Sequence, residues 1–137
     1  MIIRPPTRTV DNWGQGFYGA PRGSRKHKGI DYACYPGSEI CAEKYGRVTK
    51  IGYPYDDDED NDGKPDFTYV EIVDPSGNKG RYFYVHPCVA KGDMVNRGQV
   101  IGTSQELGKK YPGITEHMHF EVKDIDGKFF DPSEYLN

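Results

Sequence analysis

The stretch EHMHFEV, residues 116–122, alternates as a β-strand does, and it decides the reading of this chain. In a strand, residues i and i+2 project from the same face, so His117 and His119 are directed at one small site. The chain has 4 histidines in all. His27 opens HKGIDY, four residues ahead of Asp31, and His86 ends the strand-like run RYFYVH. Gly29 interrupts the His27–Asp31 spacing, which argues against a metal-binding helix and for an extended segment entering a sheet. Histidine, aspartate and histidine supply two nitrogens and an oxygen. Zinc accepts such a set tetrahedrally, with water in the fourth position. Three of these groups can hold zinc and still leave two histidines for acid–base chemistry.

Working outward, short apolar runs separated by glycine-rich turns predict a mostly β, antiparallel domain. Strands are expected over 29–34, 39–42, 47–53, 68–74, 79–86, 100–103 and 118–123. Asp74-Pro75-Ser76-Gly77-Asn78 reads as the hairpin turn between the fourth and fifth. A helical turn is expected around 104–109 and a short terminal one in 131–136. The composition, with 17 Gly, 10 Pro, 11 Tyr and 6 Phe, agrees with a β domain.

At 137 residues the chain is read as one domain, 1–137, long enough to bury a core. It holds no apolar run of membrane-spanning length and no signal-peptide pattern, so delivery outside a cell is expected to depend on another route, such as lysis. Lys+Arg of 18 against Asp+Glu of 21 gives a net charge of −3 and no basic footprint, which argues against a nucleic-acid binder. The chain is expected to be a monomer. Of the 3 cysteines, Cys34 and Cys41 flank a turn and are close enough in sequence for a hairpin disulfide. Free thiols, Cys88 included, are the preferred reading.

The stretch DDDEDNDGKPD, residues 56–66, is too charged for a strand and is read as a solvated loop between strands. Asp58, Asp60, Asp62, Gly63 and Asp66 match positions one, three, five, six and nine of a calcium loop. Tyr69 stands where the bidentate glutamate belongs, so a Ca2+ site there would be weak.

Taken together and in order, these motifs resemble the LytM/lysostaphin-type zinc endopeptidases of bacterial cell walls. The resemblance runs from about residue 17 to 136. FYGAPR is similar to the family's opening turn and HKGIDY to its first metal motif. PGSEICAEKYGRVTKIG is similar to its strand pair with a glycine turn, and YVHP to its Tyr-x-His strand. KGDMVNRGQVIG matches a Gly-Asp-x-Val-x-x-Gly-Gln-x-Ile-Gly stretch, EHMHFEV closes the site, and FDPSEYL is similar to the usual tail. YPGITEHMHFEV also resembles leukocyte cell-derived chemotaxin, a vertebrate relative that keeps the metal ligands but lacks the histidine found here as His86. The acidic insertion, and Glu116 where many relatives have a small residue or proline, depart from the pattern and bear on substrate preference.

The resemblance implies a fold with a large and a small sheet flanking a metal-containing groove. It implies that His27, Asp31 and His119 are zinc ligands and that His86 and His117 are catalytic. Zinc lowers the pKa of a bound water and polarises the scissile carbonyl; a histidine takes the water's proton, and the pair stabilises the oxyanion or protonates the leaving amine. Tyr84 is read as a core or surface tyrosine, with a supporting hydrogen-bond donor as the alternative. The expected substrate is the peptide part of peptidoglycan, reached at the bacterial cell wall as a phage-type lytic hydrolase. A D,D-endopeptidase is favoured over a glycyl-glycine endopeptidase, because the chain carries neither a basic balance nor an appended basic wall-binding domain. Two other classes compete. One is a zinc-holding but inactive binding module, against which His86 and His117 count. The other is a cysteine peptidase built on Cys88 and His86, which leaves the HxxxD and HxH motifs unexplained.

Overall fold

The computed structural model describes residues 28–55 and 63–136, together with 19, 21–22 and 25–26. Among these, strands run over β1 Pro21–Arg22, β2 Arg25–Lys26, β3 Ile30–Ala33, β4 Glu39–Cys41, β5 Gly46–Gly52 and β6 Tyr69–Val73. They continue with β7 Lys79–Phe83, β8 Val85–Pro87, β9 Met94–Val95, β10 Val100–Ser104, β11 His117–Lys123 and β12 Phe129–Phe130, and helix α1, Pro132–Tyr135, closes the chain. The architecture is the expected one. A large antiparallel sheet has the order β12-β11-β7-β6-β5-β9, with β3 also paired to β11, and a small sheet has the order β4-β10-β8.

Two turns of the same chemistry shape the large sheet. Between β6 and β7, Asp74 accepts the backbone N–H groups of Ser76 and Asn78 on its Oδ1, at 2.9 and 3.0 Å. Gly77 takes the left-handed conformation this turn demands, with φ of 86°. Between β11 and β12, Asp124 likewise accepts Asp126 and Lys128, and Gly127 repeats the positive φ. The sequence reading found the first turn and missed the second, which explains why β12 was not expected. The terminal turn expected in 131–136 is present as α1, N-capped by the Asp131 side chain.

The core lies between the sheets. Met118, Phe120 and Val122 of β11 are fully buried in it with Ile40, Val48, Val70, Tyr82 and Ile101. The alternate residues of β11, His117, His119 and Glu121, therefore belong to the opposite face. Core packing thus fixes which way the histidines point. A slip of one residue would exchange the two sets.

The run 79–86, expected as one strand, is two strands in different sheets. β7 stops at Phe83, Tyr84 adopts φ of 67°, and the chain resumes as β8 beside β10. A left-handed non-glycine residue costs about 1–3 kcal/mol, and Thr68 is what holds it. The N–H groups of Tyr84 and Val85 both donate to the Thr68 carbonyl, at 2.8 and 3.2 Å. The Thr68 hydroxyl donates back to the Val85 carbonyl, and Gln105 N–H caps the Tyr84 carbonyl at 2.8 Å. Alternation of apolar residues carries no sign of such a change of sheet. The expected helical turn at 104–109 also shifts: β10 continues through Ser104, and a single turn begins at Leu107, whose carbonyl accepts Lys110 and Tyr111. Cys34, Cys41 and Cys88 are free thiols.

Candidate metal and catalytic site

The site is assembled by strand register. β3 lies antiparallel to β11 with Asp31 opposite His119 and Ala33 opposite His117; on the other edge of β11, Phe83 of β7 also stands opposite His119. Residues facing each other on one face of a sheet bring their side chains together. His119 Nδ1 is 2.9 Å from Asp31 Oδ1, and His117 Nε2 is 3.6 Å from Asp31 Oδ2. The side chains of Asp31 and His117 are only 3% and 4% exposed. A carboxylate this dry requires a cationic or hydrogen-bonded partner.

Each imidazole is also anchored from behind. His117 Nδ1 contacts the Thr115 carbonyl at 2.6 Å, and His119 Nε2 contacts Glu121 Oε1 at 2.9 Å. Since a carbonyl can only accept, His117 donates through Nδ1 and presents Nε2 on the Asp31 side. The Phe83 ring stands edge-on to His119, with centroids 4.9 Å apart. Beneath it lies Gly29, where a Cβ would come within 2.7 Å of His119 Cε1 and 2.4 Å of the Phe120 carbonyl. Burial pulls the His119 pKa down, but hydrogen bonds and charge from Asp31 and Glu121 outweigh it and raise it to about 9. A metal at this site would displace that proton.

Of the sequence-derived site residues, Asp31, His117 and His119 are brought together. His27 lies outside the described residues. Among the described residues, no group of three or more His, Cys, Asp or Glu forms a complete metal site. The donors gathered at Asp31 and His119 nevertheless suit zinc chemically: a carboxylate oxygen and an imidazole nitrogen on a buried face, with a second imidazole beside them. Of the residues assigned to calcium, Asp58, Asp60 and Asp62 also lie outside the described residues. Asp66 is described and lines a different feature, the groove that contains His86.

His86 stands on β8 in the small sheet, opposite Thr103. It lines a groove of about 530 Å³ with Phe67, Gln105, Lys109 and Lys110 among its walls. An aromatic wall joins that groove to the buried histidines. Phe67 packs edge-on against Tyr84 at 5.3 Å, and Tyr84 packs edge-on against His117 at 5.5 Å. The Tyr84 hydroxyl meets that of Tyr55 at 2.9 Å. Burial, then the Tyr55 hydroxyl, keeps the Tyr84 phenol protonated well above its ordinary range. Tyr84 is thus neither plain core nor plain surface; its ring stands between Phe67 and His117.

Glu116 has an architectural task that its sequence context did not reveal. Its two carboxylate oxygens accept the backbone N–H groups of Leu107 and Gly108, at 2.7 and 2.8 Å. This pins the loop that carries Lys109 and Lys110 to the groove. Cys88 donates its thiol to the Val100 carbonyl at 3.6 Å, a contact with backbone and not with an imidazole. Glu121, Thr68 and Phe67 went unnoticed in the sequence. Only Glu121 left a signal there, because it continues the i, i+2 alternation of the two histidines by one more step.

Residues 25–132 match the sequence profile of Peptidase family M23. The chain is 35% identical over 130 residues to leukocyte cell-derived chemotaxin-2 of Mus musculus, spanning 94% of this chain and 78% of that protein. Its fold is similar to the catalytic domain of the antimicrobial peptidase lysostaphin from Staphylococcus simulans, with a TM-score of 0.66, 23% identity and 90% of each chain covered. It is also similar to a zinc-containing peptidase from Vibrio cholerae, with a TM-score of 0.63, 24% identity, and coverage of 92% of this chain and 37% of that one. At these identities the two structures establish the fold.

Proposed function

The chain belongs to Peptidase family M23, and on that premise we propose that it is a zinc-dependent endopeptidase that hydrolyses peptide cross-links of bacterial peptidoglycan. One observation carries the reading: Asp31, His117 and His119 converge on a buried face, and each imidazole is fixed by a second contact through its other nitrogen. The zinc-containing Vibrio cholerae peptidase of the same fold supports the choice of metal.

In this reading His27, Asp31 and His119 hold the zinc, which when bound supplies a Lewis acid and an activated water. His117 keeps its Nδ1 proton on the Thr115 carbonyl, so Nε2 is the atom that accepts a proton from the attacking water. His86, exposed on the small sheet, delivers a proton to the leaving amine or stabilises the oxyanion from across the groove. Tyr84 holds the His117 ring edge-on, and Phe67 extends that apolar wall towards His86.

The similarity to a chemotaxin supports a second reading, a zinc-holding module without hydrolytic activity. His86 and His117 are both present here, and a pure metal-holding role uses neither. The working site is the bacterial cell wall, with phage or lytic delivery as part of the proposal. The bond is the direct D-alanyl cross-link to a diamino acid, because a chain of net charge −3 gains no electrostatic attraction to anionic, teichoic-acid-rich walls. Cross-linked muropeptide dimers and pentaglycine offered side by side test this. Conversion of dimers to monomers is expected. Cleavage of pentaglycine alone overturns the bond assignment, and cleavage of neither by zinc-loaded protein favours the inactive module.

A further inference from the structure

The two histidines of β11 are anchored by acceptors of different charge, a neutral carbonyl behind His117 and a carboxylate behind His119. A neutral imidazole has one donor nitrogen and one acceptor nitrogen, and a metal ligand must offer the acceptor. Whatever takes the hydrogen bond from one nitrogen therefore decides which lone pair is available. We propose that Glu121 is a positioning residue for the metal: its carboxylate accepts the Nε2 hydrogen bond of His119, fixes that tautomer, and presents the Nδ1 lone pair on the Asp31 side. The inference rests on the zinc reading given above.

Four features fit this role. The His119–Glu121 contact of 2.9 Å equals the His119–Asp31 contact at the opposite nitrogen, so the ring is held between two carboxylates. The same-face i, i+2 spacing on β11 makes the contact a product of strand geometry, without a loop to drift. Gly29 and Phe83 pack the ring, with no room below it for even a methyl group. Glu121 is itself buried and lies opposite Arg81 of β7. A charge-assisted hydrogen bond is roughly twice as strong as a neutral one and makes the ligand nitrogen more basic. The contrast with His117 follows from function. A metal ligand benefits from a fixed, basic nitrogen, while a proton acceptor that must later release its proton is better served by a neutral carbonyl.

The test uses the parent protein, Glu121→Gln and Glu121→Ala, each stripped of metal and titrated with zinc against a chromophoric chelator. Histidine 15N shifts of the zinc-loaded proteins report the tautomer. Zinc affinity should fall roughly tenfold in Glu121→Gln, which keeps an acceptor oxygen but loses the charge, and towards a hundredfold in Glu121→Ala. The Nε2–H signature of His119 should survive in Glu121→Gln and be lost in Glu121→Ala. Should Glu121→Ala fail to fold, the fall in affinity of the folded Glu121→Gln decides. Parental affinity in either folded variant overturns the role of Glu121 and leaves the zinc reading intact. A parent protein that binds no zinc overturns both.

Discussion

Gly29 is the residue whose replacement by one methyl group does the most damage near the histidines. A Cβ there would overlap the Phe120 carbonyl at 2.4 Å and the His119 ring at 2.7 to 2.8 Å, and the carbonyl belongs to a paired strand that cannot yield alone. Gly29→Ala should cost about 1–3 kcal/mol of stability, read as a lowered urea midpoint, and should weaken zinc binding because the His119 ring is pushed away. A variant with parental stability would show that β3 can move off β11 without penalty. At this scale the sequence was half legible. It marked Asp31, His117 and His119 by spacing alone. It did not mark Glu121 as a partner of His119, because a glutamate in an alternating strand is equally suited to solvent. The left-handed Tyr84 was invisible too, since the partner that holds it, Thr68, lies 16 residues earlier.

Among the elements, β6 and β7 carry an ion pair on the face of the large sheet that holds the histidines. Arg81 donates through Nε to Glu71 Oε2 at 2.7 Å, and the Thr49 hydroxyl donates to Glu71 Oε1 at 2.8 Å. Burial pushes the Glu71 carboxyl up, but Arg81 and Thr49 outweigh it and hold the pKa below the ordinary value of 4.5. A depressed folded-state pKa stabilises the fold above the unfolded value, and that stability is lost as pH falls through the folded value. Urea midpoints measured from pH 7 down to pH 3 should therefore fall more steeply for the parent than for Glu71→Gln. Parallel curves would mean that Glu71 titrates alike in both states. The same strands show where the pattern of apolar residues stops informing. Strands β3, β4 and β6 fall within the expected spans, and β10 and β11 overrun theirs by one residue each, because each presents an apolar set to the core. The expected strand 79–86 concealed a change of sheet, since Tyr82 and Val85 are both buried whichever sheet they join.

At the scale of the whole molecule, the proposed chemistry draws on both sheets. The large sheet contributes Asp31, His117 and His119 through the β3–β11 register, and the small sheet contributes His86 through β8 and β10. Tyr84, with its positive φ, is the joint between β7 of the large sheet and β8 of the small one. The architecture was readable from glycine turns and the order of motifs, both of which are local. The meeting of His117 with Tyr84 and Phe67, and the pinning of the Leu107–Gly108 loop by Glu116, were not, because they depend on contacts between distant segments. The central claim is that this site hydrolyses peptidoglycan using His117 as proton acceptor beside a zinc held by its neighbours. The most direct measurement is the rate of fragment release from purified sacculi by zinc-loaded parent and His117→Ala, with zinc content determined on the same samples. The account predicts equal zinc in both and a rate lower by on the order of a hundredfold or more in His117→Ala. Release at the parental rate by a zinc-replete His117→Ala protein would contradict it.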